Sequence, residues 1–170
     1  MILKKVTELL DAKLNPDIAE SWDNVGLLVG DTGSQIKKIL LSLELSQSVM
    51  KMAKREGADL IITHHPAIFS GMKRVVSNDD DNLIFQLINN NIALYSAHTN
   101  FDAIENGLND YVAKLLGGKN ISMVKSPEEE NGICRVFDIS RTNAGDFLNH
   151  IKTTLKIENL RFVGNANQEI

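Results

Sequence analysis

Three of the four histidines in this sequence stand in two short segments, Asp59-Leu60-Ile61-Ile62-Thr63-His64-His65-Pro66 and Tyr95-Ser96-Ala97-His98-Thr99-Asn100-Phe101-Asp102. In each, an apolar run delivers imidazoles, and in the second also a carboxylate, to its carboxyl end. Neutral imidazole and carboxylate are ligands for zinc, iron, manganese or cobalt, and the near-absence of thiolates argues against a purely structural zinc site. Consecutive side chains on extended backbone point apart, so His64 and His65 are expected to serve two neighbouring ions rather than one. Such a pair of ions suits the activation of water. His98 is expected to be an acid or base, or a group that orients Asp102 or a substrate. The same histidine pair also reads, without chemistry, as a hydrogen-bonded surface turn. Glu44 could reach the same edge, but fits an exposed strand-end carboxylate better.

The elements that must position these residues follow from periodicity. Ile2, Val6, Leu9, Leu10 and Leu14 recur at helical spacing, and Asn15-Pro16 ends that helix. The segment Ser21 to Gly26 reads as a loop, followed by the apolar run Leu27-Leu28-Val29. From Lys38 the chain alternates: strand 39–45, helix 47–56 closed by Gly57, strand 60–63, helix 82–89, strand 92–97, helix 105–116 closed by Gly117-Gly118. This predicts an α/β fold of βαβ units around a largely parallel or mixed sheet with helices on its faces. The metal site then sits at the strand carboxyl ends, where open sheets bind ligands. The Ser126–Gly132 stretch, with one proline, three glutamates and Asn-Gly, marks a surface loop. We therefore expect a metal-binding domain over 1–125 and a further α/β segment over 126–170. In that segment strand 133–139, helix 144–155 and strand 160–163 are anticipated.

The remaining residues narrow the function. A chain of 170 residues can bury a core without disulfides or structural metal, so a metal here would serve function. The single cysteine, Cys134, excludes an internal disulfide and reads as a small buried hydrophobe in a strand. No apolar run approaches the ~20 residues that span a bilayer, and nothing resembles a secretory leader, which fits a cytoplasmic protein. With 18 basic and 22 acidic side chains, the net charge of −4 argues against a general nucleic-acid surface. Lys37, Lys38, Lys51, Lys54, Arg55, Lys73 and Arg74 have no interleaved aromatics and read as solvated faces. Trp22, the only tryptophan, reads as a packing anchor, Asp23 and Asn24 as stabilisers of their own turn, and His150 as a surface histidine. There is no GxxxxGK[ST] phosphate loop.

Taken together, Glu20-Ser-Trp-Asp-Asn-Val-Gly-Leu-Leu-Val-Gly30, Thr63-His-His-Pro66 and Tyr95-Ser-Ala-His-Thr-Asn-Phe-Asp102 carry a resemblance in their order and spacing. The sequence resembles the GTP cyclohydrolase I type 2, or NIF-three-like, family of dinuclear metal-centre proteins. That resemblance implies that His64, His65 and Asp102 are metal ligands, one histidine for each of two divalent ions (zinc, iron or manganese). It implies a cytoplasmic homo-oligomer, commonly a ring-shaped hexamer. It also implies a metal-dependent hydrolase acting on a nucleotide-like substrate by a GTP cyclohydrolase-like reaction; the alternative is a non-enzymatic metal-binding scaffold or regulator. Family members continue beyond the point matched by Ile170, and their distal part supplies a further histidine and a bridging glutamate. The chain therefore reads as an amino-terminal fragment or truncated product, for which weaker, even single-ion, binding is expected.

Overall fold

A computed structural model describes residues 1–76, 82–125 and 132–170. They form two compact units, Met1–Ile104 and Glu105–Ile170. The division thus precedes the helix at 108–115. Most of the acidic loop used above to set a boundary at 126 lies outside the described residues.

The first unit is a four-stranded sheet in the order β1-β4-β3-β2, built from β1 (Gly26–Val29), β2 (Ile39–Ser42), β3 (Leu60–Thr63) and β4 (Ala93–Ser96). β2, β3 and β4 run parallel, and β1 lies antiparallel on β4, so the sheet is mixed. Helix α1 (Leu3–Leu14) precedes the sheet, α2 (Gln47–Glu56) connects β2 to β3, and α3 (Leu83–Asn89) connects β3 to β4. The helix ends follow local chemistry. Ser46 Oγ accepts the Val49 amide at the start of α2, and Gly57, at φ 64°, closes it in the left-handed region. Asn82 caps α3 by accepting the Phe85 amide. Asn15, left-handed at φ 42°, and Pro16 end α1 in a short 3-10 turn.

The alternation of strand side chains separates two cores. Ile61 and Leu94 join Met50 and Ala53 of α2 and Ile84 and Leu87 of α3. Leu60, Ala93 and Tyr95 face the other way, against Leu3 of α1. The Tyr95 hydroxyl donates to Asp11 Oδ1 at 2.8 Å, tying β4 to α1. Burial and that neighbouring carboxylate push the phenol well above its usual range. At Gly30 a Cβ would lie 2.8 Å from Leu3 Cδ2 and 2.9 Å from Ala93 Cβ, so α1 and β4 approach closely only because no side chain is there.

The segment after β4 departs from expectation. The long helix predicted over 105–116 is α5 (Leu108–Leu115), and a separate short helix, α4 (Thr99–Ala103), begins immediately after His98. In the second unit, β5 (Lys119–Met123) pairs antiparallel with β6 (Arg135–Asp138), and α6 (Ala144–Leu155) follows. Buried Asp110 receives the Arg135 guanidinium. Burial opposes its charge, but hydrogen bonds from Arg135 and the Asn106 amide hold its carboxyl below the usual range. β5 was not anticipated, although Ile121 and Met123 alternate with polar neighbours. The expected strand at 160–163 is absent: those residues pair with no strand, and Val163 is 99% exposed. Cys134 is exposed and precedes β6, which corrects its reading as a buried strand residue.

Candidate metal centre

The parallel pairing of β2, β3 and β4 brings the carboxyl ends of β3 and β4 side by side, with Thr63 opposite Ser96. Just beyond them stand His64, His65 and His98. Each offers a ring nitrogen, and these atoms lie within 4.8 Å of one another. The ring centroids are 5.2 Å apart for His64 and His65, 5.1 Å for His64 and His98, and 5.7 Å for His65 and His98. The expected divergence of His64 and His65 is therefore not observed. Extended alternation ends with β3 at Thr63, and the two histidines follow on a bend that turns both rings toward the same space.

The neighbours of two of these rings select which nitrogen is free. His64 Nδ1 lies 2.8 Å from the Ala97 carbonyl oxygen, which can only accept, so Nδ1 carries the proton and Nε2 keeps its lone pair. Ser96 Oγ donates to the His64 carbonyl at 3.0 Å, fixing the backbone as well. His98 Nδ1 lies 3.0 Å from Asp23 Oδ1, and the Asp23 side chain is fully buried. Asp23 also accepts the Thr99 amide, at 3.0 Å, and the Thr99 hydroxyl. Burial works against its charge, yet the hydrogen bonds from Thr99, His98 and Asn24 prevail and hold it below the ordinary carboxylate range. An ionised Asp23 fixes the Nδ1–H form of His98 and frees Nε2.

Asp102 lies one helical turn beyond His98 on α4, its amide bonded to the His98 carbonyl at 3.1 Å. Its Oδ1 is 3.8 Å from His64 Nε2. Burial pushes its carboxyl above the ordinary range, against the opposing pull of His64 and His98. A carboxylate so desolvated is one that a nearby cation would stabilise. Glu44 Oε2 stands 3.8 Å from His65 Nδ1, and both are substantially exposed, so this carboxylate does reach the cluster. His150 is exposed on α6, in the other unit. Imidazoles with two Nδ1 atoms already engaged, beside a desolvated carboxylate, form a donor set that fits a divalent ion.

Three residues do more than their sequence suggested. Asp23 accepts from the next amide, as expected, but chiefly reaches 75 residues along the chain to His98. Asn100, fully buried, accepts the His98 amide at 3.0 Å and donates to the Leu14 carbonyl at 3.0 Å. Trp22 is 56% exposed and lies beside His98, so it is not a packing anchor. A separate cleft of about 630 Å³, lined largely by apolar residues such as Leu28, Met72, Ile84 and Leu87, contains none of these histidines.

Known proteins resemble this chain over most or all of its length. A relative from Clostridium perfringens named "GTP cyclohydrolase 1 type 2 homolog" is 41% identical over 177 residues, covering 100% of this chain and 66% of its own length. A relative of the same name from Clostridium acetobutylicum is 33% identical, covering 90% of this chain and 59% of its own length. The chain thus spans about two thirds or less of the length of these relatives. Among solved structures, a Staphylococcus aureus protein superposes with a TM-score of 0.88 at 29% identity, covering 100% of this chain and 70% of that one. Reduced HcgD from Methanocaldococcus jannaschii gives a TM-score of 0.76 at 36% identity, covering 90% and 60%. The family model described as Duf34/NIF3 (NGG1p interacting factor 3) matches residues 1–170, and the chain belongs to that family.

Proposed function

We propose that the chain carries a divalent-metal centre of a hydrolase acting on a nucleotide-like substrate. The observation that carries this reading is the convergence of His64, His65 and His98, with donor nitrogens within 4.8 Å of one another and Nδ1 of His64 and His98 already engaged. The name shared by the Clostridium relatives supports the nucleotide-like substrate. His64, His65 and His98 would hold the ion, and Asp102 would balance its charge. A bound ion would polarise a substrate oxygen and generate a nucleophile from water at neutral pH. The chain's own residues do the positioning. Ala97 and Asp23 fix the two imidazoles, and α4 keeps Asp102 one turn from His98. With Nδ1 committed to Asp23, His98 has only Nε2 left, so ligation would compete with the acid–base role expected of it for one lone pair.

The test is elemental analysis of purified protein, paired with GTP and phosphoester turnover with and without added manganese or zinc. Wild-type protein is expected to retain metal and turn over substrate, and His65→Ala to lose both. Full turnover in rigorously metal-free protein would overturn the reading.

A further inference from the structure

Trp22 and Phe69 are 56% and 55% exposed, yet they stand on segments that are firmly tied down. Asn24 Nδ2 donates to the Ile68 carbonyl at 2.6 Å, joining the segment before β1 to the one after Pro66. The Glu20 amide donates to Thr99 Oγ1 at 3.0 Å, and Asp23, next to Trp22, is buried between His98 and Thr99. The backbone on either side of the indole is therefore fixed while the ring itself stays in water. Exposing so large an apolar surface forgoes burial energy that an anchored loop could otherwise gain, and amphipathic aromatics left this way are typical of binding surfaces.

The rings are also placed as a platform. The Trp22 and Phe69 centroids are 5.8 Å apart with planes inclined at 46°, and Trp22 meets His98 at 6.2 Å and 76°. Neither contact is a parallel stack, so among the described ring contacts nothing lies flat on the indole. A flat ligand laid there sits next to His98, itself 5.1 Å from His64 between ring centroids.

We propose that Trp22 and Phe69 form the stacking platform for a planar, purine-like heteroaromatic ring, holding it against the histidine cluster. This rests on the reading of that cluster as a site for a nucleotide-like substrate, and adds the residues that recognise the base. Stacking tolerates any π face and is strong enough that losing one platform ring weakens binding about ten-fold.

Trp22 is the only tryptophan, so fluorescence excited selectively at tryptophan, beyond the absorption of Tyr95 and Tyr111, reports on this position. The experiment titrates EDTA-treated protein with guanosine, which has a base and no phosphate, and with inorganic tripolyphosphate, which has the reverse. Saturable quenching is expected with guanosine and none with tripolyphosphate. Phe69→Ala is expected to weaken the guanosine Kd about ten-fold with an unchanged circular dichroism spectrum. Equilibrium dialysis of labelled guanosine is expected to show the same loss for Trp22→Ala and partial retention for Trp22→Phe. No saturable response to guanosine, or a Kd unchanged in both alanine variants, would overturn the proposal. So would emission that shifts with protein concentration and ignores guanosine, because a second copy would then cover the platform. Elemental analysis of the same protein, after EDTA has been removed and zinc or manganese added back and the excess dialysed away, separates the two readings. Protein that takes up metal but ignores guanosine defeats only the platform, and protein that binds guanosine but takes up no metal defeats only the metal centre.

Discussion

At the scale of single residues, the centre depends on groups that choose a tautomer as much as on those that offer a lone pair. Asp23 has no exposed side-chain surface and gives one oxygen to His98 and the other to Thr99. Asp23→Ala is expected to leave His64 and His65 in place while lowering zinc affinity by about 10- to 100-fold, read by competition with a chromophoric chelator. The nitrogen NMR shifts of the His98 ring are expected to move from a single Nδ1–H form to a mixture of tautomers, which general loosening of the fold would not produce selectively. That His64, His65 and His98 come together, with Asp102 close by, was legible because residue type and order after the strands are both properties of sequence. Asp23 was not, because a carboxylate that serves its own turn and one that orients an imidazole 75 residues away look alike until the chain is folded. Trp22 was misread for a related reason: its rarity says nothing of which side of a loop faces water.

At the scale of elements, the helices and central strands of the first unit were legible because hydrophobic period, capping residues and glycine stops agreed. The reading failed where an element depends on a distant partner. β5 exists through its pairing with β6, the expected strand at 160–163 finds no partner, and α4 forms between the strand and the helix expected at 92–97 and 105–116, where no element was anticipated. One junction carries a titratable lock. Asp59, at the entrance to β3, accepts the Lys37 and Lys38 amides just before β2, at 2.7 and 2.9 Å. The Lys38 and Lys37 hydrogen bonds hold its carboxyl below the usual range. Because the folded value lies below that of the unfolded chain, this stabilisation is complete above about pH 4 and is lost as pH falls through the folded value. Asp59→Asn is therefore expected to lower the thermal midpoint at neutral pH and to flatten its decline between about pH 5 and pH 3, followed by circular dichroism.

At the scale of the molecule, the family relatives are longer than this chain, which spans 66% and 59% of the two Clostridium proteins. Among the described residues no helix is long and apolar enough to cross a membrane. The homo-oligomer expected from the family resemblance stands as a proposal, supported by the edge strand β2. There Ile39 and Leu41, with Leu43 just beyond the strand, expose apolar side chains at alternate positions, 45%, 72% and 61% exposed. Light scattering is expected to show self-association that Leu41→Lys reduces without unfolding the protein; a variant of unchanged mass would remove this surface from the assembly. The reversed direction of β1 has a kinetic consequence. Its partner is β4 rather than β2 or β3, so closing this pair and docking the Trp22–Asn24 segment are expected to follow the closure of the βαβ units. That closure is the most non-local step in the sheet, and its entropic cost grows with the chain enclosed. The lone indole beside His98 is thus expected to report a late event in refolding, a stopped-flow tryptophan phase slower than the gain of far-UV circular dichroism; coincident phases would overturn this order.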